Sequence, residues 1–316
     1  MLPLKLTAPL KDYIWGGTRL REEYHKQSDL PRLAEAWVLS CHPDGESVIA
    51  NGPDAGITLT AWIEKYGKEV LGTACARFEQ FPILIKLIDA KENLSVQVHP
   101  DNEYAARVEG GYGKTEMWVV LDADEGAELI YGFRREVTKE EFASAIRENT
   151  LLELANRVPV KKGDVFFIES GTLHAIGKGI LIAEIQQNSN TTYRVYDYGR
   201  LGTDGKPRPL HIEKALDVTS LIPVSRKNSA VNEGAARQVL SSCEYFTTER
   251  CSLAGGCELA VDDTSFHSLL ILEDGCELHS AHGDLALQKG DSVFLPAGFG
   301  TYSVNGAGEI LLTYLK

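Results

Sequence analysis

Long apolar segments, closely spaced cysteines and an excess of positive charge are all missing from this sequence. Its longest apolar stretch, residues 82–88, is interrupted by Lys86 and is far shorter than the roughly 20 residues that a membrane-spanning helix needs. The first residues also lack the basic stretch followed by an apolar run that marks a secretory signal. These absences exclude a membrane segment and favour a soluble, cytoplasmic protein.

The six cysteines do not form a recognisable site. No two of them have the CxxC spacing of a thiolate zinc site or a redox centre. A chain of 316 residues is also much larger than the small scaffolds that depend on disulfides. We therefore expect the cysteines to be reduced.

Acidic residues outnumber basic ones by 45 to 32, which gives a formal net charge of −13. Nucleic acids and anionic membranes bind to clustered positive charge, so we expect neither of them as a partner. Nothing in the composition indicates an obligate protein partner. A small anionic ligand is not excluded, because a few local cations are enough to hold it.

Short segments of β-type dominate the apolar pattern. They are rich in β-branched and aromatic residues, are flanked by glycine, aspartate or asparagine, and comprise residues 117–121, 165–168, 180–185, 268–272 and 310–314. One helix is predicted near residues 60–68. Two more are predicted after capping boxes at Thr138 and Thr150, and these helices end at about residues 148 and 157. The chain is therefore predicted to be mainly β, with a small helical insertion at about 138–158.

One sequence frame occurs twice. Residues 162–174 read KGDVFFIESGTLH and residues 289–301 read KGDSVFLPAGFGT. A single Gly-Asp turn is common in hairpins, but two copies in register resemble the second motif of the cupin superfamily. That resemblance implies two cupin-like jelly-roll barrels.

The two copies differ at one chemically important position, because Thr301 stands where the first copy has His174. We expect a catalytic cupin-like domain at residues 1–230 and a degenerate cupin-like domain at residues 236–316. The polar stretch Ser225–Ala236 is the predicted linker.

Polar residues alternate with apolar ones around residue 97. Ser95, Gln97 and His99 therefore fall on one face of a strand. Solvent exposure is the default explanation, but Glu116 precedes one apolar strand and His174 follows another, which favours a shared wet cavity. Two imidazoles, a carboxylate and an amide oxygen suit Zn²⁺ and, less specifically, Mn²⁺, Co²⁺ or Fe²⁺.

Several ordered blocks carry a more specific resemblance. They read LSVQVHPDNEYA from residue 94, GKTEMW from 113 and SGTLHAIGKGILIAEIQQNSNTTYRVYDYGR from 170, with YIWGG from 13 and FPILIK from 81. From about residue 10 to 220 the chain resembles the type I mannose-6-phosphate isomerases, zinc-dependent enzymes of the cupin superfamily, in their short bacterial form. The resemblance implies an aldose-ketose isomerase that interconverts mannose 6-phosphate and fructose 6-phosphate through an enediol or enediolate.

The resemblance also implies roles for nine residues. Four match the family's ligands for one zinc ion per chain, namely Gln97, His99, Glu116 and His174. Two match catalytic positions, namely Arg194 and Glu184, which lies ten residues before it. Either Glu184 or a metal-bound water is expected to transfer the proton. Three match positions that hold the substrate phosphate, namely Ser95, Lys86 and Lys114. One departure is visible, because Thr115 stands where the family often has proline.

Other interpretations fit the same residues. A different cupin metalloenzyme, such as a dioxygenase or another sugar-phosphate isomerase, shares the fold, and so does a non-catalytic sugar-binding bicupin. On position alone, Arg194 would be a surface residue paired with Asp197, and Lys86 a lysine that extends to solvent from an apolar strand.

Overall fold

The computed structural model describes residues 1–202, 205–225 and 229–316, and its regular structure is mostly strand. The strands of the first half are β1 (Leu4–Thr7), β2 (Leu10–Lys11), β3 (Glu35–Leu39), β4 (Cys41–His42), β5 (Gly45–Glu46), β6 (Val48–Ile49), β7 (Ile83–Ala90), β8 (Val96–Val98), β9 (Glu116–Ala123), β10 (Glu128–Phe133) and β11 (Ala155–Pro159). The later strands are β12 (Asp164–Ile168), β13 (His174–Ala175), β14 (Ile180–Gln187), β15 (Tyr193–Tyr196), β16 (Ser229–Ala230), β17 (Arg237–Ser242), β18 (Thr247–Ser252), β19 (Cys257–Val261), β20 (His267–Ile271), β21 (Cys276–Ser280), β22 (Leu285–Leu287), β23 (Ser292–Leu295), β24 (Gly300–Asn305) and β25 (Glu309–Tyr314).

The helices are short and lie mostly between strands. They are α1 (Arg19–Glu22), α2 (Leu59–Tyr66), α3 (Asn102–Val108), α4 (Lys139–Arg147) and α5 (Ile212–Val218), with 3₁₀ turns at Lys68–Leu71, Thr73–Arg77 and Leu151–Glu153. No helix among the described residues is long and apolar enough to cross a membrane.

The five predicted strands are confirmed as parts of β9, β12, β14, β20 and β25, and the helix near residue 60 is α2. The capping box at Thr138 is also confirmed, because its Oγ1 accepts a hydrogen bond from the Glu141 amide at 3.1 Å at the start of α4. The helix predicted after Thr150 is wrong. That threonine makes no side-chain cap, and after one 3₁₀ turn the chain enters β11, which pairs with β10. Pairing with β10 outweighs the local helix signal there.

Four sheets stack in layers. In stacking order they are a five-stranded sheet β11-β10-β13-β8-β15, a seven-stranded sheet β16-β12-β9-β14-β7-β3-β2, a second seven-stranded sheet β17-β18-β25-β20-β23-β1-β6 and a four-stranded sheet β19-β24-β21-β22. Alternating side chains of β9 show the layering. Trp118 and Val120 pack toward the five-stranded sheet, whereas Met117 and Val119 pack into the core shared by the two seven-stranded sheets. Helices α4 and α5 cover the outer face of the five-stranded sheet.

The two halves repeat one pairing order. In the first half β14 lies between β7 and β9, β12 pairs with β9, and β13 lies between β8 and β10. In the second half β25 lies between β18 and β20, β23 pairs with β20, and β24 lies between β19 and β21. This duplication agrees with the predicted pair of cupin-like units, and it places Thr301 on the strand that corresponds to that of His174.

One strand crosses between the two units. β1 pairs with β23 on one side and with β6 on the other, so the first residues of the chain belong to the sheet of the second unit. The domain limits 1–230 and 236–316 stay a prediction. Part of the predicted linker, residues 226–228, lies outside the described residues.

Candidate metal centre and active-site cavity

The alternation around residue 97 divides β8 between two environments. Val96 and Val98 are fully buried in the core beneath the helices. Ser95 and Gln97 point to the opposite side and line a cavity of about 310 Å³. The cavity lies between the five-stranded sheet and the first seven-stranded sheet, inside the first cupin-like unit.

Three of the predicted site residues are direct neighbours across the five-stranded sheet. Gln97 on β8 is the register partner of His174 on β13 and of Arg194 on β15. The Gln97 amide nitrogen lies 3.3 Å from His174 Nε2. Because a rotated amide places its oxygen at the same position, Gln97 is able to offer an oxygen ligand there.

His99, Glu116 and His174 bring one potential ligand atom each within 4.8 Å of the others. The Nδ1–H of His99 donates to the Thr191 carbonyl at 2.8 Å, and that of His174 donates to the Thr172 carbonyl at 2.9 Å. These bonds fix the tautomer in which Nε2 carries the free lone pair, as in metal-bound histidines. The two Nε2 atoms lie 3.5 and 3.4 Å from the two carboxylate oxygens of Glu116.

The electrostatics of this cluster fit a divalent cation. Burial lowers the pKa of His174 to about 4 and lowers the pKa of His99 well below its usual range, so both imidazoles are neutral donors at pH 7. Burial and the nearby Glu184 carboxylate raise the pKa of Glu116. Oε1 of Glu116 is buried and accepts no hydrogen bond from the described residues, while Oε2 lies 2.9 Å from Lys114 Nζ. A cation of the zinc type satisfies this set of nitrogen and oxygen donors.

A second row of side chains crosses the first seven-stranded sheet, and its two charged members, Lys86 and Glu184, line the opposite wall of the cavity. Trp37, Lys86, Glu184 and Trp118 are successive register partners across β3, β7, β14 and β9. Lys86 Nζ lies 3.2 Å from Glu184 Oε1 and 3.7 Å from Glu35 Oε2. Lys86 is only 3% exposed, so it is a buried ion-pair partner rather than a lysine that extends to solvent.

Lys114 connects this row to the cluster of His99, Glu116 and His174. Its Nζ lies 2.9 Å from Glu116 Oε2, 3.2 Å from His99 Nε2 and 3.9 Å from Glu184 Oε1. Burial opposes ionisation of Glu184, but Lys114 and Lys86 outweigh it and lower the pKa of this carboxyl. Burial likewise opposes the charge of Lys86, and the Glu35 and Glu184 carboxylates outweigh it and raise the pKa of the lysine.

Arg194 occupies the outer part of the cavity. Its Nε donates to Ser95 Oγ at 3.2 Å and its Nη1 donates to the Pro209 carbonyl at 3.1 Å. The alternative pairing with Asp197 is not made, since that carboxylate binds the guanidinium groups of Arg200 and Arg208 instead. Burial and the charge of Arg208 lower the pKa of Arg194.

All nine residues singled out in the sequence therefore surround one cavity. Six of them line it, namely Lys86, Ser95, Gln97, Lys114, Glu184 and Arg194. The other three, His99, Glu116 and His174, are fully buried beside it and contact Lys114 or Gln97. Their individual roles stay predictions.

Sequence reasoning missed several lining residues. Glu35, Asn190, Thr192 and Arg208 line the cavity, and so do the aromatic residues Tyr13 and Trp15. Tyr13 and Trp15 belong to a block that carried the family resemblance, but the sequence offered no chemical reason to assign them a role. Glu35 was detectable in principle as a lone carboxylate in the apolar run that became β3.

Two family models match the chain. The one described as phosphomannose isomerase type I, catalytic domain, matches residues 3–150, and the one described as mannose-6-phosphate isomerase, cupin domain, matches residues 236–315. A mannose-6-phosphate isomerase of Streptococcus mutans is 39% identical over 315 residues, which cover 99% of this chain and 98% of the relative. The mannose-6-phosphate isomerase ManA of Bacillus subtilis is 37% identical over 317 residues, 99% of each protein.

Solved structures agree with these matches. The crystal structure of the mannose 6-phosphate isomerase from Bacillus subtilis has a TM-score of 0.90 at 36% identity and covers 99% of both chains. A zinc-bound mannose 6-phosphate isomerase has a TM-score of 0.81 over the whole of both chains, and at 19% identity that likeness shows the fold alone. Because relatives more than a third identical match it over nearly its whole length, the resemblance is confirmed and the chain belongs to the type I phosphomannose isomerase family.

Proposed function

We propose that this protein interconverts mannose 6-phosphate and fructose 6-phosphate in the cavity between the five-stranded and seven-stranded sheets. The observation that carries the proposal is the convergence on one cavity of a buried His-Glu-His cluster, a buried lysine-carboxylate row and Arg194. Family membership supplies the substrate class, and these groups supply chemistry suited to proton transfer beside a carbonyl.

Zn²⁺, one ion per chain, is the cofactor that we assign to Gln97, His99, Glu116 and His174. The two imidazoles are held neutral, and Glu116 supplies the single negative charge of the set. When bound, the ion supplies Lewis-acid charge that polarises the carbonyl and hydroxyl oxygens of the sugar. The four donors are nitrogen and oxygen atoms and include no thiolate, which would suit a catalytic zinc site better than a cysteine-rich structural one.

Glu184 moves the proton between C2 and C1 of the sugar. Its Oε2 accepts a hydrogen bond from Trp118 Nε1 at 3.0 Å, while its Oε1 lies 3.2 Å from Lys86 Nζ and 3.9 Å from Lys114 Nζ. Lys86 and Lys114 keep this carboxylate ionised and able to accept a proton. The lowered pKa makes that acceptance energetically uphill, so the enediolate that forms must be stabilised by nearby positive charge.

Arg194 supplies part of that charge from the opposite wall. Ser95 and the Pro209 carbonyl hold its guanidinium, and among the described residues no carboxylate pairs with it. A planar guanidinium donates to two oxygens at once, which suits the two adjacent oxygens of an enediolate. Lys86 and Lys114, together with Ser95, contact the substrate from the walls on which they lie.

A coupled assay with mannose 6-phosphate tests the proposal. We expect turnover in zinc-loaded protein, loss of turnover after chelation and recovery when Zn²⁺ is restored. Zinc-loaded protein that binds the sugar phosphate without converting it would favour a sugar-binding bicupin. Activity that returns with Fe²⁺ and not with Zn²⁺ would favour a different cupin metalloenzyme.

A further inference from the structure

The positive groups in the cavity are of two kinds. Lys86 and Lys114 are 3% and 4% exposed and lie among the carboxylates of Glu35, Glu116 and Glu184. Their charges are therefore already balanced inside the protein. A phosphate dianion placed beside them would meet three carboxylates as well as two ammonium groups, which makes this end of the cavity a poor site for it.

The other end of the cavity has a surplus of positive charge. Asp197 accepts from Nε and Nη2 of Arg208 at 2.7 and 2.6 Å and also binds Arg200. One carboxylate thus serves two guanidinium groups, and Arg194 adds a third that has no carboxylate partner among the described residues. Proximity to Arg208 contributes to the lowered pKa of Arg194, as expected for an excess of like charge.

Arg208 is held in place and still has a donor to offer. Its bidentate contact with Asp197 uses Nε and Nη2. Its Nη1 donates to no acceptor among the described residues, and the side chain lines the cavity together with Arg194 and Ser95. A guanidinium fixed on one edge and free on the other is preorganised for an oxyanion.

The spacing also suits the substrate. Ser95 lies one residue before β8 and precedes the proposed ligand Gln97 by two residues, which separates them by up to about 7 Å if the backbone there is extended. The phosphate of a hexose 6-phosphate is attached at the far end of the carbon chain from C1 and C2. A sugar whose C1 and C2 lie near the metal cluster therefore extends its phosphate toward Ser95 and the arginines.

Resting on the proposed function, we propose that Arg208, held by Asp197 beside Arg194 and Ser95, binds the substrate phosphate and sets the preference for phosphorylated sugars. Lys86 and Lys114, which the sequence analysis assigned to the phosphate, then act at the sugar end of the cavity.

Arg208→Met tests the inference, with mannose 6-phosphate as substrate and inorganic phosphate as competing ligand. Losing one charge-assisted contact is expected to raise KM for mannose 6-phosphate about 10- to 100-fold. The inhibition constant of phosphate rises in parallel, kcat stays within a few-fold, and kcat/KM for unphosphorylated mannose does not change. Arg208→Lys recovers part of the affinity, because it restores the charge without the fork.

Arg200→Met is the matched control, because Arg200 binds the same Asp197 but does not line the cavity. An equal rise of KM in both variants would overturn the inference. It would show that the effect comes from destabilising the segment around Asp197, or from its reduced positive charge, and not from a contact between Arg208 and the phosphate. Thermal unfolding of both variants shows whether either has lost its fold.

An unchanged KM and an unchanged phosphate inhibition constant in Arg208→Met, with an active wild type, would also overturn the inference and leave the proposed function intact. If the wild type does not turn over mannose 6-phosphate, the proposed function fails. In that case, calorimetry of inorganic phosphate binding tests Arg208 independently of turnover. Weaker binding by Arg208→Met than by the wild type supports the inference, and equal binding overturns it.

Discussion

The indole Nε1–H of Trp118 donates a hydrogen bond to Oε2 of Glu184 over a distance of 3.0 Å. The two residues lie directly opposite each other on the paired strands β9 and β14. This bond orients the carboxylate, and Oε1 faces the ammonium group of Lys86, whose Nζ lies 3.2 Å away at the wall of the cavity. One oxygen of Glu184 is thus held by Trp118, and the other, beside Lys86, is the one to which we assign the proposed proton transfer.

Glu184→Gln separates these two functions. The glutamine keeps the shape of the side chain but cannot take up a proton, so we expect kcat to fall about 10²- to 10⁴-fold, with zinc content unchanged. Trp118→Phe is the control, because it removes only the N–H donor and leaves the ionised carboxylate. We expect it to lose much less activity. Near-normal kcat in zinc-loaded Glu184→Gln would remove this carboxylate from the proton transfer.

Arg194→Ala removes the guanidinium from the wall that carries Gln97. By analogy with the loss of one oxyanion donor, we expect kcat to fall about 100-fold or more. Arg194→Lys restores little of it, because an ammonium is a point charge without the planar fork. Steady-state kinetics together with zinc analysis check the prediction, and an Arg194→Ala protein with full zinc and ordinary turnover contradicts it.

Glu116→Gln tests the metal cluster by a readout other than activity. If the cluster binds zinc as proposed, we expect zinc to bind the folded wild type and to raise its Tm. The variant loses the only charged ligand of the set, so we expect little zinc-dependent increase in Tm. Glu169→Gln, an exposed acid on the loop that leads to β13, is the matched control and should keep the wild-type increase. Equal increases in both variants would exclude Glu116 as a ligand.

His267 predicts a pH effect in the second unit, where it holds the strand position that corresponds to Glu116. Burial lowers its pKa to about 4, Arg237 adds to this, and Asp262 and Glu249 oppose it. In the unfolded chain the imidazole titrates near 6.5. Between about pH 6.5 and 4 the unfolded state therefore binds more protons than the folded state, so the free energy of unfolding falls as the pH falls through this window.

His267→Gln removes that contribution. We expect its urea midpoint to decrease less between pH 7.5 and 5 than that of the wild type. His99 and His174 are present in both proteins, so their contribution to the pH dependence cancels in the comparison. An identical decrease in the two proteins would show that His267 is not the group responsible.

Gly177→Ala tests how tightly the strand that carries His174 is held. A Cβ at this position would lie 1.8 Å from the Glu128 carbonyl oxygen, so the backbone beyond β13 would have to shift. We expect a loss of about 1–3 kcal/mol in the free energy of unfolding, together with weaker zinc binding. Gly111→Ala is the control, because its Cβ would meet nothing within 4 Å. Urea unfolding and zinc titration of both variants decide the question.

Local sequence patterns were sufficient to locate the residues whose position is set by the strand to which they belong or adjoin. The two-residue period of β8 predicted that Ser95, Gln97 and His99 share a face, because side-chain alternation is a property of the backbone itself. The strands that carry Glu116 and Glu184 were recognisable from their β-branched and aromatic content. Short-range information was sufficient in each of these cases.

Long-range pairing explains what the sequence did not predict. Glu35 approaches Lys86 only because β3 pairs with β7, and Arg208 reaches the cavity through its contact with Asp197. Thr150 failed as a helix start for a related reason, since the residues after it pair with β10. The sequence pattern within each of these segments does not indicate which distant segment it will pair with.

The strand β1 has a consequence for the synthesis of the protein. Its ladder with β23 joins Leu4 to Phe294 and Leu6 to Ser292, so β1 obtains this neighbour only after the whole segment between the two strands has been synthesised. During translation one edge of β1 must stay unpaired or be protected by other contacts. Synthesis of β23 therefore controls when β1 reaches its native environment.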